Sequence, residues 1–129
     1  FLVTADHGHI DAEGVYITEY PEIMETLLRL PSLEPRTPNF FVKEGMEEVF
    51  KERFLDRFRD DFVLLDREEV IEKKLFGMRK EHPLFREMLG DYIAYSKSNK
   101  TLFFYGEKLK SMHGSMTEDE MIIPIIVFG

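Results

Sequence analysis

Apolar residues along this chain fall into short blocks divided by polar turns, and the spacing within each block predicts alternating strands and helices. Phe1 to Ala5 is an unbroken apolar run with the length of a strand. Ile23, Met24, Leu27 and Leu28 form one stripe, Pro21 suits the first turn and Pro31 stops the chain, so a helix is expected over 21–30. Asn39 to Lys43 reads as a strand ending at Glu44-Gly45. The clearest helix runs from Met46 to Phe58, with Met46, Val49, Phe50, Phe54, Leu55 and Phe58 on one face and charges elsewhere. Phe62 to Leu65 reads as a strand. Asp66 then caps a helix, with Glu69 as the capping-box acid and Gly77 at the exit.

A short helix is expected from Pro83 to Leu89, stopped by Gly90. Tyr92–Tyr95 and Leu102–Tyr105 read as a hairpin across the polar segment Ser96 to Lys100. Thr117 is placed to cap one more turn, with Glu120 three residues on, before a closing apolar run from Ile122 to Phe128. Both ends read as short buried strands, and because domains usually end in polar segments, the chain is expected to be a piece of a longer protein. The aromatic stripe is read as core and the acidic helix positions as solvated faces.

Composition narrows the function classes. Of 129 residues, 43% are apolar, enough for a core. No apolar run reaches the ~18 residues of a membrane helix, and no charged segment followed by an apolar one marks a signal peptide. The absence of cysteine removes disulfides, thiolate metal sites and a cysteine nucleophile. A net charge of -8 argues against duplex nucleic acid as partner. The same charge means that phosphate handling would need metal ions to offset it. The compartment stays open.

Candidate chemistry sits at the two ends. The first strand runs into Asp6-His7-Gly8-His9, and in open α/β sheets ligands collect beyond the carboxyl ends of strands. A carboxylate and imidazoles there suit a divalent metal, with Gly8 giving the backbone room to turn. An Asp-His-Gly turn whose Asp6 merely bonds its own backbone is the plain alternative. The second cluster is Met112-His113-Gly114-Ser115-Met116, just before the last strand. The two clusters would converge if the first and last strands share a sheet. His82, beside Pro83, is assigned no chemistry.

Val3-Thr4-Ala5-Asp6-His7-Gly8-His9 resembles the metal-site motif of the alkaline phosphatase superfamily. His113-Gly114-Ser115, with Glu120-Met121 and Ile122-Ile123-Pro124-Ile125-Ile126, resembles its late motif. The pairing is most similar to the type I phosphodiesterase and nucleotide pyrophosphatase branch. The resemblance implies an α/β, alkaline-phosphatase-like fold of which this chain is a C-terminal part. Residues 1–20 and 106–129 would belong to the metal-site core. Residues of roughly 21–105 would form an inserted α+β subdomain with a small mixed or antiparallel sheet.

It also implies a site for two divalent metal ions, zinc before manganese, with Asp6 and His7 on one and His113 on the other. His9 is expected outside the immediate ligands, orienting one of them. Arg36 is a candidate phosphate contact, with a surface or subdomain ion pair as its plainer alternative. The implied substrate is a phosphate ester or nucleotide. The implied nucleophile, a threonine or serine, lies upstream, and Thr4, Ser115 and Thr117 are not assigned that role. The isolated chain is therefore expected to be inactive and, with apolar terminal strands, to self-associate. Two other classes stay open. One is a non-catalytic interaction module. The other is a different enzyme of the superfamily, such as a phosphomutase or sulfatase.

Overall fold

The structure, a computed structural model, describes residues 1–129. In chain order its elements are β1 (Leu2–Thr4), β2 (Ile10–Asp11), β3 (Glu13–Tyr16), α1 (Pro21–Met24), β4 (Ser32–Glu34), β5 (Thr37–Phe40), α2 (Glu47–Phe58), β6 (Phe62–Asp66), α3 (Arg67–Glu72), α4 (Phe85–Met88), β7 (Tyr92–Ser96), β8 (Lys100–Phe103), β9 (Ser111–Met112), α5 (Glu118–Met121) and β10 (Ile125–Val127). An antiparallel sheet with strand order β4-β5-β7-β6 forms the centre. Three two-stranded pairings surround it: β3 with β8, parallel, and β1 with β10 and β2 with β9, both antiparallel.

The stripe on α2 does what its spacing predicts. Phe50, Phe54 and Phe58 are buried against Phe40, Phe62 and Tyr92. Their rings meet at centroid distances of 5.0 Å (Phe40–Phe50), 5.2 Å (Phe50–Tyr92) and 6.0 Å (Phe58–Phe62). Such pairs contribute about 0.5–1.5 kcal/mol each beyond burial. Neighbouring strand residues face opposite sides of a sheet. Tyr92, Ala94 and Leu64 accordingly join the α2 core, whereas Ile93 and Leu65 pack with Val70 and Leu89 in a second, smaller core. The capping box at α3 is complete: Asp66 accepts from the Glu69 N–H, and the Asp66 N–H donates to the Glu69 carboxylate.

Four expectations are corrected. The helix over 21–30 stops after Met24, because Leu28 N–H donates to the Phe41 carbonyl and Leu27 bridges Val42, so pairing with the neighbouring strand wins over helix propensity. The segments 92–95 and 102–103 lie in strands, β7 and β8, that do not form a hairpin, and 104–105 lie outside any strand. Pro35 and Arg36 come between them: Ser96 N–H donates to the Arg36 carbonyl and Leu102 N–H to the Pro35 carbonyl. Thr117 stands at the start of α5, but its hydroxyl donates to the Glu120 carboxylate rather than capping the backbone. Finally, the terminal strands pair with each other yet are exposed, with Leu2, Val3, Ile125, Ile126 and Val127 all facing solvent. No helix is long and apolar enough to cross a membrane.

Candidate metal centre

Three backbone links bring the ends of the chain together. The first is the β1–β10 pairing, which sets Thr4 opposite Ile125. The second is a 2.8 Å hydrogen bond from Gly8 N–H to the Glu120 carbonyl. The third is the β2–β9 pairing, which sets Ile10 opposite Met112. In an antiparallel pair the residue before one partner lies beside the residue after the other. His9 and His113 are those two residues.

Gly8 is required by close approach rather than by turning. Its φ is not in the left-handed region, but a Cβ there would sit 1.7 Å from the Asp119 carbonyl oxygen. Gly114 is the opposite case, with φ at +106°, a conformation that favours glycine.

The result is a three-histidine cluster. Ring centroids are 3.6 Å apart for His7 and His113, 5.1 Å for His7 and His9, and 5.0 Å for His9 and His113. One nitrogen from each ring lies within 4.8 Å of the others. Hydrogen bonding assigns the tautomers of the neutral rings. His7 Nδ1 lies 2.8 Å from the Gly8 carbonyl, which can only accept, so Nδ1 carries the proton and Nε2 the lone pair. The Ser111 hydroxyl donates to the Ile10 carbonyl, so at 3.1 Å from His9 Nδ1 it must accept, which again leaves Nε2 free. Fixing a ring through its far nitrogen is the usual preparation of a metal-binding histidine.

Asp6 is exposed. One of its oxygens accepts from the His7 backbone N–H, and the other lies 3.6 Å from His7 Nε2. In the neutral tautomer both of the latter atoms present lone pairs, an arrangement that a shared cation would stabilise.

The donor set fits zinc: imidazole nitrogens and a carboxylate oxygen. Nitrogens on one tetrahedral zinc stand about 3.4 Å apart, given bonds of ~2.1 Å. The three ring nitrogens, all within 4.8 Å of one another, are close to that spacing.

Arg36 is elsewhere. It is fully buried, and its guanidinium donates to both Glu120 carboxylate oxygens, at 2.6 and 2.9 Å, and to the carbonyls of Lys100 and Ser98. An ion pair rather than a phosphate contact is what the structure shows, but a buried one whose partner lies in 106–129, outside the subdomain, and no face of the guanidinium is open to a substrate. Two features escaped the sequence reading. His9 lies inside the cluster rather than behind it. Glu120, read as a capping residue, is a buried hub: burial pushes its carboxyl up, but hydrogen bonds from Arg36, Thr117 and the Ser115 N–H outweigh this and hold it below the usual carboxylate range. The faint signal for Glu120 was its place in the late motif. The main concavities of the surface lie away from the histidines, beside Val70 and Phe76 and beside Leu33 and Met88.

No protein-family model and no curated protein sequence matches the chain. Solved structures do. Human ectonucleotide pyrophosphatase/phosphodiesterase 5 is similar over 92% of this chain and 31% of its own, with a TM-score of 0.68 at 15% identity. The murine counterpart, also solved as an inactive form in complex with AMP, is similar over 96% of this chain and 32% of its own, with a TM-score of 0.64 at 16% identity. Phosphonoacetate hydrolase from Sinorhizobium meliloti is similar over 97% of this chain and 35% of its own, with a TM-score of 0.61 at 20% identity. The chain thus spans about a third of the length of each. The fold matches a C-terminal piece of an alkaline-phosphatase-like fold.

Proposed function

We propose that this chain is the C-terminal, metal-binding part of a phosphoric ester hydrolase acting on a phosphodiester or nucleotide. The observation that carries the reading is the stacking of His7 on His113, two motif residues from opposite ends of the chain. The shared fold and the Nε2 lone pairs of His7 and His9 support it.

In this reading Asp6 and His7 hold one divalent ion and His113 a second, with His9 close enough to join either. A bound pair of ions would stabilise charge on the attacking and leaving oxygens of the phosphoryl group. The chain's own residues prepare the site. The Gly8 carbonyl and Ser111 fix ring tautomers, Asp6 contributes negative charge, and the hydrogen bond from Gly8 N–H to the Glu120 carbonyl holds the first motif against the late loop. The nucleophile belongs to an upstream part of the parent protein. Residues 21–105 would be an inserted subdomain, and the exposed apolar ribbon of β1 and β10 would pack against a part of the parent protein outside this chain.

A phosphonate substrate is a second reading, favoured by the likeness to phosphonoacetate hydrolase. The test is hydrolysis by the parent protein, metal-stripped and reloaded with zinc. Zinc-dependent cleavage of a nucleotide diester, abolished by His113→Ala, is expected. Cleavage of phosphonoacetate alone would move the assignment to the second reading, and metal-independent activity would remove both.

A further inference from the structure

We propose that the buried Arg36–Glu120 pair is a positioning device that holds the His113 loop against the Asp6–His9 segment at metal-binding spacing; its purpose rests on the metal reading above. Glu120 acts on both halves of the site at once. Its carbonyl accepts from Gly8 N–H, inside the first motif, at 2.8 Å. Its carboxylate accepts from Ser115 N–H, two residues past His113, at 3.0 Å, and from the Thr117 hydroxyl. Arg36 fixes that carboxylate from the opposite side with a two-pronged contact, the geometry a guanidinium supplies and an ammonium does not. The next residue, Thr37, donates its hydroxyl to the Gly114 carbonyl, beside His113.

Both members of the pair are essentially inaccessible, at 0% and 2% exposure. Two further donations from Arg36, to the Ser98 and Lys100 carbonyls, tie the device to the central subdomain. A buried ion pair is on average weak support for stability, because desolvation offsets attraction, and its best-attested use is to fix one arrangement among several. Here the arrangement fixed is the register of two loops whose own strands, β2 and β9, are two residues long. Such short pairings leave the relative position of His9 and His113 underdetermined. Glu120 removes that freedom, its carbonyl bonded to one loop and its carboxylate, held by Arg36, to the other.

The test uses the full 129-residue chain with zinc as probe and histidine-ring resonances as an independent readout. His82, exposed and remote from the cluster, is the internal reference. Val70→Ala, in the second core, is the control for loss of stability alone. It is expected to lower the melting temperature while leaving ring resonances and zinc affinity within twofold. Glu120→Gln is expected to move the His7 and His113 resonances, leave His82 in place and weaken zinc binding at least tenfold, the lower end of the effect of losing a metal site's supporting hydrogen bonds.

Should Glu120→Gln not fold, Arg36→Met with Glu120→Met replaces the pair by apolar groups of similar size, a change that buried pairs often tolerate. The same selective displacement of His7 and His113 is expected. Unmoved rings in a folded variant would overturn the proposal. If the parent chain binds no zinc, the metal reading fails for this chain, and the ring resonances alone decide the positioning role.

Discussion

The imidazoles of His7 and His113 stack face to face, 3.6 Å between centroids and 12° from parallel. They come from opposite ends of the chain, so the closing of the ends is part of the site's construction. Strand pairing supplies the coarse approach, through β1 with β10. The Gly8 and Glu120 contacts supply the fine spacing.

Gly8→Ala tests the tightness of that closure. The added methyl would fall 1.7 Å from a backbone oxygen, which has no flexible side chain to give way. The expected cost is about 1–3 kcal/mol in unfolding free energy, typical of overpacking. Zinc affinity should fall along with it. Chemical denaturation and calorimetry on the same variant measure both, and an alanine variant with unchanged stability would show the contact to be looser than described.

Much of this arrangement was readable in the sequence, and the failures have definite causes. The α2 stripe, the capping box at Asp66 and the two end motifs depend on local spacing, which a sequence displays directly. The hairpin of 92–105 failed because Pro35 and Arg36, distant in sequence, occupy the space between its strands. The helix over 21–30 was cut short by pairing with the segment around Val42. Arg36 was left between a phosphate contact and an ion pair because its buried partner, Glu120, stands far along the chain and resembled an ordinary cap. His9 was given an orienting role by the family resemblance, and its closeness to His7 and His113 depends on the pairing of β2 with β9, strands too short to show a pattern.

Glu120 makes stability depend on pH in a defined direction. Its folded-state carboxyl titrates below the usual glutamate value of 4.5, so the charged form is favoured in the folded chain. The stabilisation is complete above that value and disappears as pH falls through the lower folded-state value. Denaturant unfolding of the parent and Glu120→Gln across acid pH should show a stability gap that is constant near neutrality and narrows on acidification. A gap that widens on acidification would reverse the assignment.

The isolated chain should not hydrolyse phosphodiesters. The cluster offers ligands, but Thr4 bonds the Pro124 carbonyl and Ser115 the Ser96 carbonyl, and neither is poised as a nucleophile. A chromogenic diester assay with added zinc should give the buffer rate. Turnover by the pure chain that vanishes in His7→Ala would contradict this.

Zinc calorimetry on the chain and its His7→Ala, His9→Ala and His113→Ala variants tests the central claim most directly. If the two ends build one two-ion centre, His7→Ala and His113→Ala will each weaken zinc binding by tenfold or more, and His9→Ala will show whether the third ring is a ligand. Zinc binding that is unchanged in both His7→Ala and His113→Ala would contradict the account.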